Sequence, residues 1–209
     1  MGEIYHTIKR EGRDELIISR SRFICHSFPV SIEDEATAHL EKIRKEFRDA
    51  NHNVWAYVIC AIKERYSDDG EPQGTAGIPV LNVIRKENLR DVLVVVTRYF
   101  GGTKLGAGGL VRAYSQGAKL ALDAGEIITR RPYLSYEVTT EYSLSGKLKR
   151  EFENRGYILK DINYLENVTQ KILTPPEEKE PLYALVAELT AGQGTLIAGD
   201  EEYLDDTIL

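Results

Sequence analysis

Val92-Leu93-Val94-Val95-Val96-Thr97-Arg98-Tyr99-Phe100-Gly101-Gly102-Thr103-Lys104-Leu105-Gly106-Ala107-Gly108-Gly109-Leu110 is the stretch on which the reading of this chain turns. It opens with five apolar residues, four of them β-branched, which reads as a buried strand. Five glycines then fall within the nine residues Gly101–Gly109. Glycine loses more backbone freedom on folding than any other residue, so such a cluster marks positive φ or a close approach of backbones. Beyond it Leu110, Tyr114, Ala118 and Ala121 recur on one side of a helix that stops near Gly125. The unit is therefore strand, glycine loop, helix.

Towards the N-terminus the chain reads as strands through Tyr5–Arg10, Leu16–Ile18 and Arg22–Cys25, ending at Pro29. A helix follows. Ser31 is placed to cap it, Glu33, Asp34 and Glu35 suit the positive end of its dipole, and Ala36, Leu40, Ile43 and Phe47 repeat at helical spacing. Asn51-His52-Asn53 reads as a turn, and Val54–Cys60 as a buried strand with Cys60 in the core. Lys63–Gly77 reads as a polar loop. A short helix from Pro79 to Arg85 leads back to Val92.

Towards the C-terminus a boundary is expected at Ile127–Pro132. After it the order is strand (Tyr133–Tyr142), helix (Ser143–Asn154), strand (Tyr157–Tyr164), strand (Val168–Leu173), helix (about Pro176–Thr190) and strand (Thr195–Leu204). That is βαββαβ, the order of the ferredoxin-like split βαβ arrangement. The expected architecture is thus α+β with two domains, 1–130 and 131–209.

Charge follows the same division. Residues 1–130 hold 19 Lys and Arg against 18 Asp and Glu, while 131–209 hold 8 against 15. No acidic residue occurs between Asp91 and Asp123, where Arg98, Lys104, Arg112 and Lys119 do. A local field of this kind matters more to binding than the net charge of −6. No apolar run is long enough to span a membrane. The N-terminus carries no cationic-then-apolar signal, and the two cysteines form no CxxC pair. The expectation is a cytoplasmic protein with no membrane partner.

Two loops carry the candidate chemistry. The first is Gly101–Gly109 at the start of a helix, where N–H groups without partners and the helix dipole attract an anion. Arg98, Gly101, Gly102, Lys104, Gly106, Gly108, Gly109 and Arg112, with Arg22 from the early strands, form the candidate anion or nucleic-acid site. A tight, well-packed turn is the competing structural reading. Neither GxxxxGK[ST] nor GxGxxG is matched, because Ala107 and Val111 stand at deciding positions. The second loop holds Asp68, Asp69 and Glu71. These carboxylates suit a hard cation, or acid–base work, or acceptance of backbone N–H bonds with Gly70, Gly74 and Gly77 making turns. They also suit pairing with Arg98 or Arg112 to hold the glycine loop. The last two readings assign them a supporting role, with no metal or cofactor. His52 reads as a base or, more simply, as a structural turn histidine.

Asp68-Asp69-Gly70-Glu71-Pro72-Gln73-Gly74-Thr75-Ala76-Gly77-Ile78-Pro79 and the stretch from Val95 through Tyr114 closely resemble the IMPACT/YigZ family, and Ser21-Arg22-Phe23 is similar to its early motif. The resemblance covers the whole chain, with the specific motifs in residues 1–130. It implies a first domain like ribosomal protein S5 domain 2 and a ferredoxin-like second domain. It also implies a non-catalytic binding protein associated with RNA, the ribosome or translation. Eukaryotic members regulate translation by competing for a partner of the amino-acid-starvation kinase. This chain looks like a bacterial member, to which that role does not carry over. Two further expectations stand beside this one: an enzyme acting on a phosphorylated small molecule, and a regulator that docks on a protein partner.

Overall fold

The computed structural model describes residues 2–205. Met1 and residues 206–209, which the expected domains 1–130 and 131–209 include, lie outside the described residues. The chain divides into two compact units, one of Tyr5–Thr129 and one of the residues from Arg130 onward together with the N-terminal residues up to Ile4. Both are mixed α/β with antiparallel sheets.

In the first unit the elements run β1 (Tyr5–Ile8), β2 (Gly12–Ile18), β3 (Ser21–Pro29), α1 (Glu33–Glu46), β4 (His52–Ile59), β5 (Lys63–Ser67), α2 (Gly77–Lys86), β6 (Val92–Tyr99) and α3 (Gly106–Ala124). The sheet order is β2-β3-β6-β4-β5, antiparallel throughout, so β6 is the central strand. Its apolar run follows from that position. Val92, Val94 and Val96 pack under α2 and α3, with Val80, Ile84, Leu110 and Ala118. Leu93 and Val95 pack on the opposite face under α1, with Leu40 and Ile43. A strand with helices on both faces has no solvent side, so it does not alternate in polarity.

The polar segment Lys63–Ser67, expected as loop, is strand β5. It lies at the edge of the sheet and is mostly exposed, so its side chains are charged and its strand signal is weak. His52 likewise begins β4 instead of sitting in a turn. Ser31 does not cap α1: Ile32 occupies the N-cap position, and the Glu35 carboxylate accepts the Ser31 N–H at 2.6 Å. Cys60 is exposed, because β4 ends at Ile59 and the chain turns there with φ of 51°.

The second unit continues with β7 (Ile127–Thr140), α4 (Tyr142–Asn154), β8 (Ile158–Tyr164), β9 (Val168–Thr174), α5 (Lys179–Leu189, after a short 3₁₀ turn) and β10 (Thr195–Asp205). The division between units falls inside β7, where the sequence suggested a break before Tyr133. The strands follow the order β10-β7-β9-β8, antiparallel at every pairing. Leu148 and Phe152 of α4 and Leu182, Leu185 and Val186 of α5 pack with Tyr136, Val138 and Ile172 in one core, so both helices cover the same sheet face. Among the described residues no helix is long and apolar enough to cross a membrane.

Candidate functional site

The site forms where β6 ends. Arg98 lies on the same side of β6 as Val92, Val94 and Val96, facing α3. Across the sheet its register partners are Phe23 on β3 and His52 on β4. Arg98 is 5% exposed. Its guanidinium carbon lies 5.5 Å from the ring centres of both Phe23 and Phe100.

A buried guanidinium needs a counter-charge. Glu71, brought in by the acidic loop, supplies it. Arg98 Nη1 donates to Glu71 Oε1 at 2.6 Å, and the Tyr114 hydroxyl from α3 donates to the same oxygen at 2.7 Å. Burial, followed by that carboxylate, pushes the Tyr114 phenol well above its ordinary value, so it acts only as a donor here. Arg98 Nη2 donates to Ser21 Oγ at 3.3 Å, and Ser21 Oγ also accepts the Gly101 N–H at 3.2 Å. Three elements and both loops are thereby tied through one buried ion pair.

The remaining acids of the loop are turned inward. Asp68 accepts backbone N–H groups from Gly74, Ala76 and Gly77 at 2.8–3.1 Å, which closes the loop into the start of α2. Asp69 accepts the Asn53 N–H at 2.6 Å, and its carbonyl lies 2.8 Å from His52 Nδ1. A carbonyl only accepts, so His52 carries its proton on Nδ1 and turns Nε2 toward Glu71 at 3.8 Å. Among the described residues no group of three His, Cys, Asp or Glu side chains is arranged to hold a metal ion.

The glycine loop is built differently. At Gly101 a Cβ would fall 2.0 Å from the Arg20 carbonyl group, so the loop crosses the β2–β3 turn at a distance only glycine permits. Gly106 takes φ of 69° where α3 begins, and Gly102 takes 84°. The position before α3 is Leu105, which offers no side-chain cap, and no acid lies in the first turn. The N–H groups of that turn therefore remain available. Lys104, Gly106, Ala107, Gly108 and Arg112 are exposed. Gly109 packs on Leu105.

Between the two loops lies an open cavity of about 460 Å³. Its walls include His52, Pro72, Arg98, Phe100, Lys104 and Leu105. Of the residues expected at an anion, the structure brings together Arg98, Lys104 and Gly106 at this cavity. Arg22 is placed elsewhere. It follows the turn one residue before Phe23, so it points to the other face of β3, and its guanidinium pairs with Glu15 at 2.6 Å. Arg98 meets Glu71, so its charge is matched inside the protein.

Phe100, Pro72, Asn51 and Tyr114 were not picked out by sequence reasoning. Asn51 holds the end of β6 by accepting the Phe100 N–H at 2.8 Å through Oδ1. The one available signal was Phe100 itself, a large apolar residue directly before two glycines.

An Impact N-terminal domain matches residues 19–122, and a domain of unknown function, DUF1949, matches residues 138–193. The chain is 39% identical over 206 residues to the IMPACT family member YvyE of Bacillus subtilis, covering 98% of this chain and 95% of that one. It is 33% identical over 189 residues to YigZ of Escherichia coli, covering 88% and 92%. A crystal structure described as a hypothetical protein, 28% identical, superposes with a TM-score of 0.62 over 96% of this chain and 99% of that one. The protein belongs to the IMPACT family.

Proposed function

We propose that this protein is a non-catalytic binding protein that contacts RNA, acting as a regulator associated with the translation apparatus. The observation that carries the reading is the exposed glycine loop with Lys104 and Arg112, set at an uncapped helix start in a stretch without acids. Such a surface attracts phosphate through charge and backbone N–H groups together. Membership of the IMPACT family supports the reading, since association with RNA, the ribosome or translation is what the family resemblance implies. The first unit reads as an S5 domain 2-like fold, and the strand order β10-β7-β9-β8 supports a ferredoxin-like second unit. In this reading residues 1–130 bind the RNA, in the cytoplasm.

The test is fluorescence-anisotropy titration of structured RNA and of 16S and 23S fragments over a salt series, with the native protein and a Lys104→Ala/Arg112→Ala variant. Affinity should fall steeply with salt, and the variant should bind more weakly with a shallower slope. Absent or salt-insensitive binding by the native protein overturns the reading. Equal binding by both proteins moves the site away from the glycine loop.

A further inference from the structure

We infer that the cavity between the two loops is a seat for a single nucleotide. Its phosphate lies on Lys104 and the first N–H groups of α3, and its base lies against Phe100, Pro72 and Leu105. The inference deepens the RNA reading and rests on it only for the source of the nucleotide.

Size is the first argument. A cavity of about 460 Å³ lies within the ~300–1,000 Å³ typical of small-molecule sites, and a phosphate alone leaves most of it unfilled. Polarity is the second. The lining combines a cation, Lys104, beside the uncapped start of α3 with the apolar side chains of Phe100, Pro72 and Leu105. Phe100 is 46% exposed. An aromatic side chain next to a cationic backbone-binding loop is the pairing by which proteins hold splayed-out bases.

A polar group on the wall is unfilled, and it provides the third argument. His52 has Nδ1 committed to the Asp69 carbonyl, which leaves Nε2 at 3.8 Å from Glu71, beyond hydrogen-bonding distance. His52 lines the cavity. In this tautomer Nε2 accepts, and a nucleotide brings donors to it from its sugar hydroxyls or base edge.

The shared chemistry is a nucleoside 5′-monophosphate, which is either one residue of an RNA strand or a free mononucleotide. Calorimetric titration with AMP, GMP, CMP and UMP separates this chemistry from its parts when inorganic phosphate and the four nucleosides are run alongside. A single-stranded tetranucleotide and an RNA duplex separate the sources. At least one monophosphate should bind about fivefold or more tightly than either inorganic phosphate or its nucleoside, the low end of what base–aromatic stacking contributes. Phe100→Ala should remove that advantage and leave inorganic phosphate binding unchanged, while Lys104→Ala should weaken both. Circular dichroism and urea unfolding of the two variants report that each is folded, as expected for exposed positions.

Monophosphates that bind no better than inorganic phosphate overturn the inference, as does a folded Phe100→Ala variant that binds them like the native protein. Duplex binding without mononucleotide or tetranucleotide binding overturns it too, and leaves the RNA reading standing. Mononucleotide binding without any RNA binding upholds the seat and removes the RNA reading.

Discussion

The two loops that meet at the end of β6 carry opposite charges and use them in opposite ways. In the acidic loop each carboxylate has a partner within the protein: Asp68 on three backbone N–H groups, Asp69 on Asn53, Glu71 on Arg98 and Tyr114. In the glycine loop the cations Lys104 and Arg112 are exposed, and the first turn of α3 has no cap. The charges of the acidic string are consumed in building the site. The glycine loop holds its shape through backbone geometry, so its cations stay exposed. Charge in a sequence therefore marks either construction or recognition, and burial decides which.

The largest expected effect tests the construction side. Glu71→Ala strands the Arg98 guanidinium in a buried site, which should lower stability by ~3–5 kcal/mol in urea unfolding. A decrease below about 1 kcal/mol would mean that the pair is not closed in solution. The next effect comes from outside both loops and must be separated from them. Burial, with Arg13 nearby, lowers the His26 pKa to about 4. The unfolded chain takes up that proton near 6.5, so the folded state binds fewer protons between those values. Stability should be full above about pH 6.5 and fall as pH drops towards about 4, by about 3 kcal/mol at most. His26→Gln should flatten this slope; an unchanged slope would return acid sensitivity to the carboxylates. Asp68→Ala removes one acceptor of three N–H groups and should cost about 2 kcal/mol, read by the same unfolding titration. The smallest stability effect belongs to the recognition side. Lys104→Ala and Arg112→Ala should each change unfolding by no more than ~0.5 kcal/mol, while removing either cation from a phosphate should lower the salt slope of RNA binding by ~1. If these variants destabilise as much as Asp68→Ala, the contrast between the loops collapses.

Much of the fold was legible in the sequence. Val92–Val96 read as a buried strand because it is covered on both faces, and Leu110, Tyr114, Ala118 and Ala121 read as a helix face because α3 packs on one side only. The strand–helix order after residue 131 came from apolar spacing of the same kind. Lys63–Ser67 was missed because an edge strand has little to bury. Part of the cavity's lining was legible as well: Lys104 and Gly106, two of the residues singled out from the sequence, border it. Arg98 was expected at a ligand, but its partner Glu71 is 27 residues away, and no local pattern reports which of several acids will reach it.

The sequence by itself determined most of the elements, the two-part organisation and the positions of the two loops, because periodicity and glycine content act locally. Only the tertiary structure decided that Arg98 is consumed by Glu71 and that Arg22 faces away with Glu15. It also decided that His52, Phe100 and Lys104 border one cavity. Those outcomes depend on sheet register, since a side chain two positions along a strand keeps its face and one position along loses it.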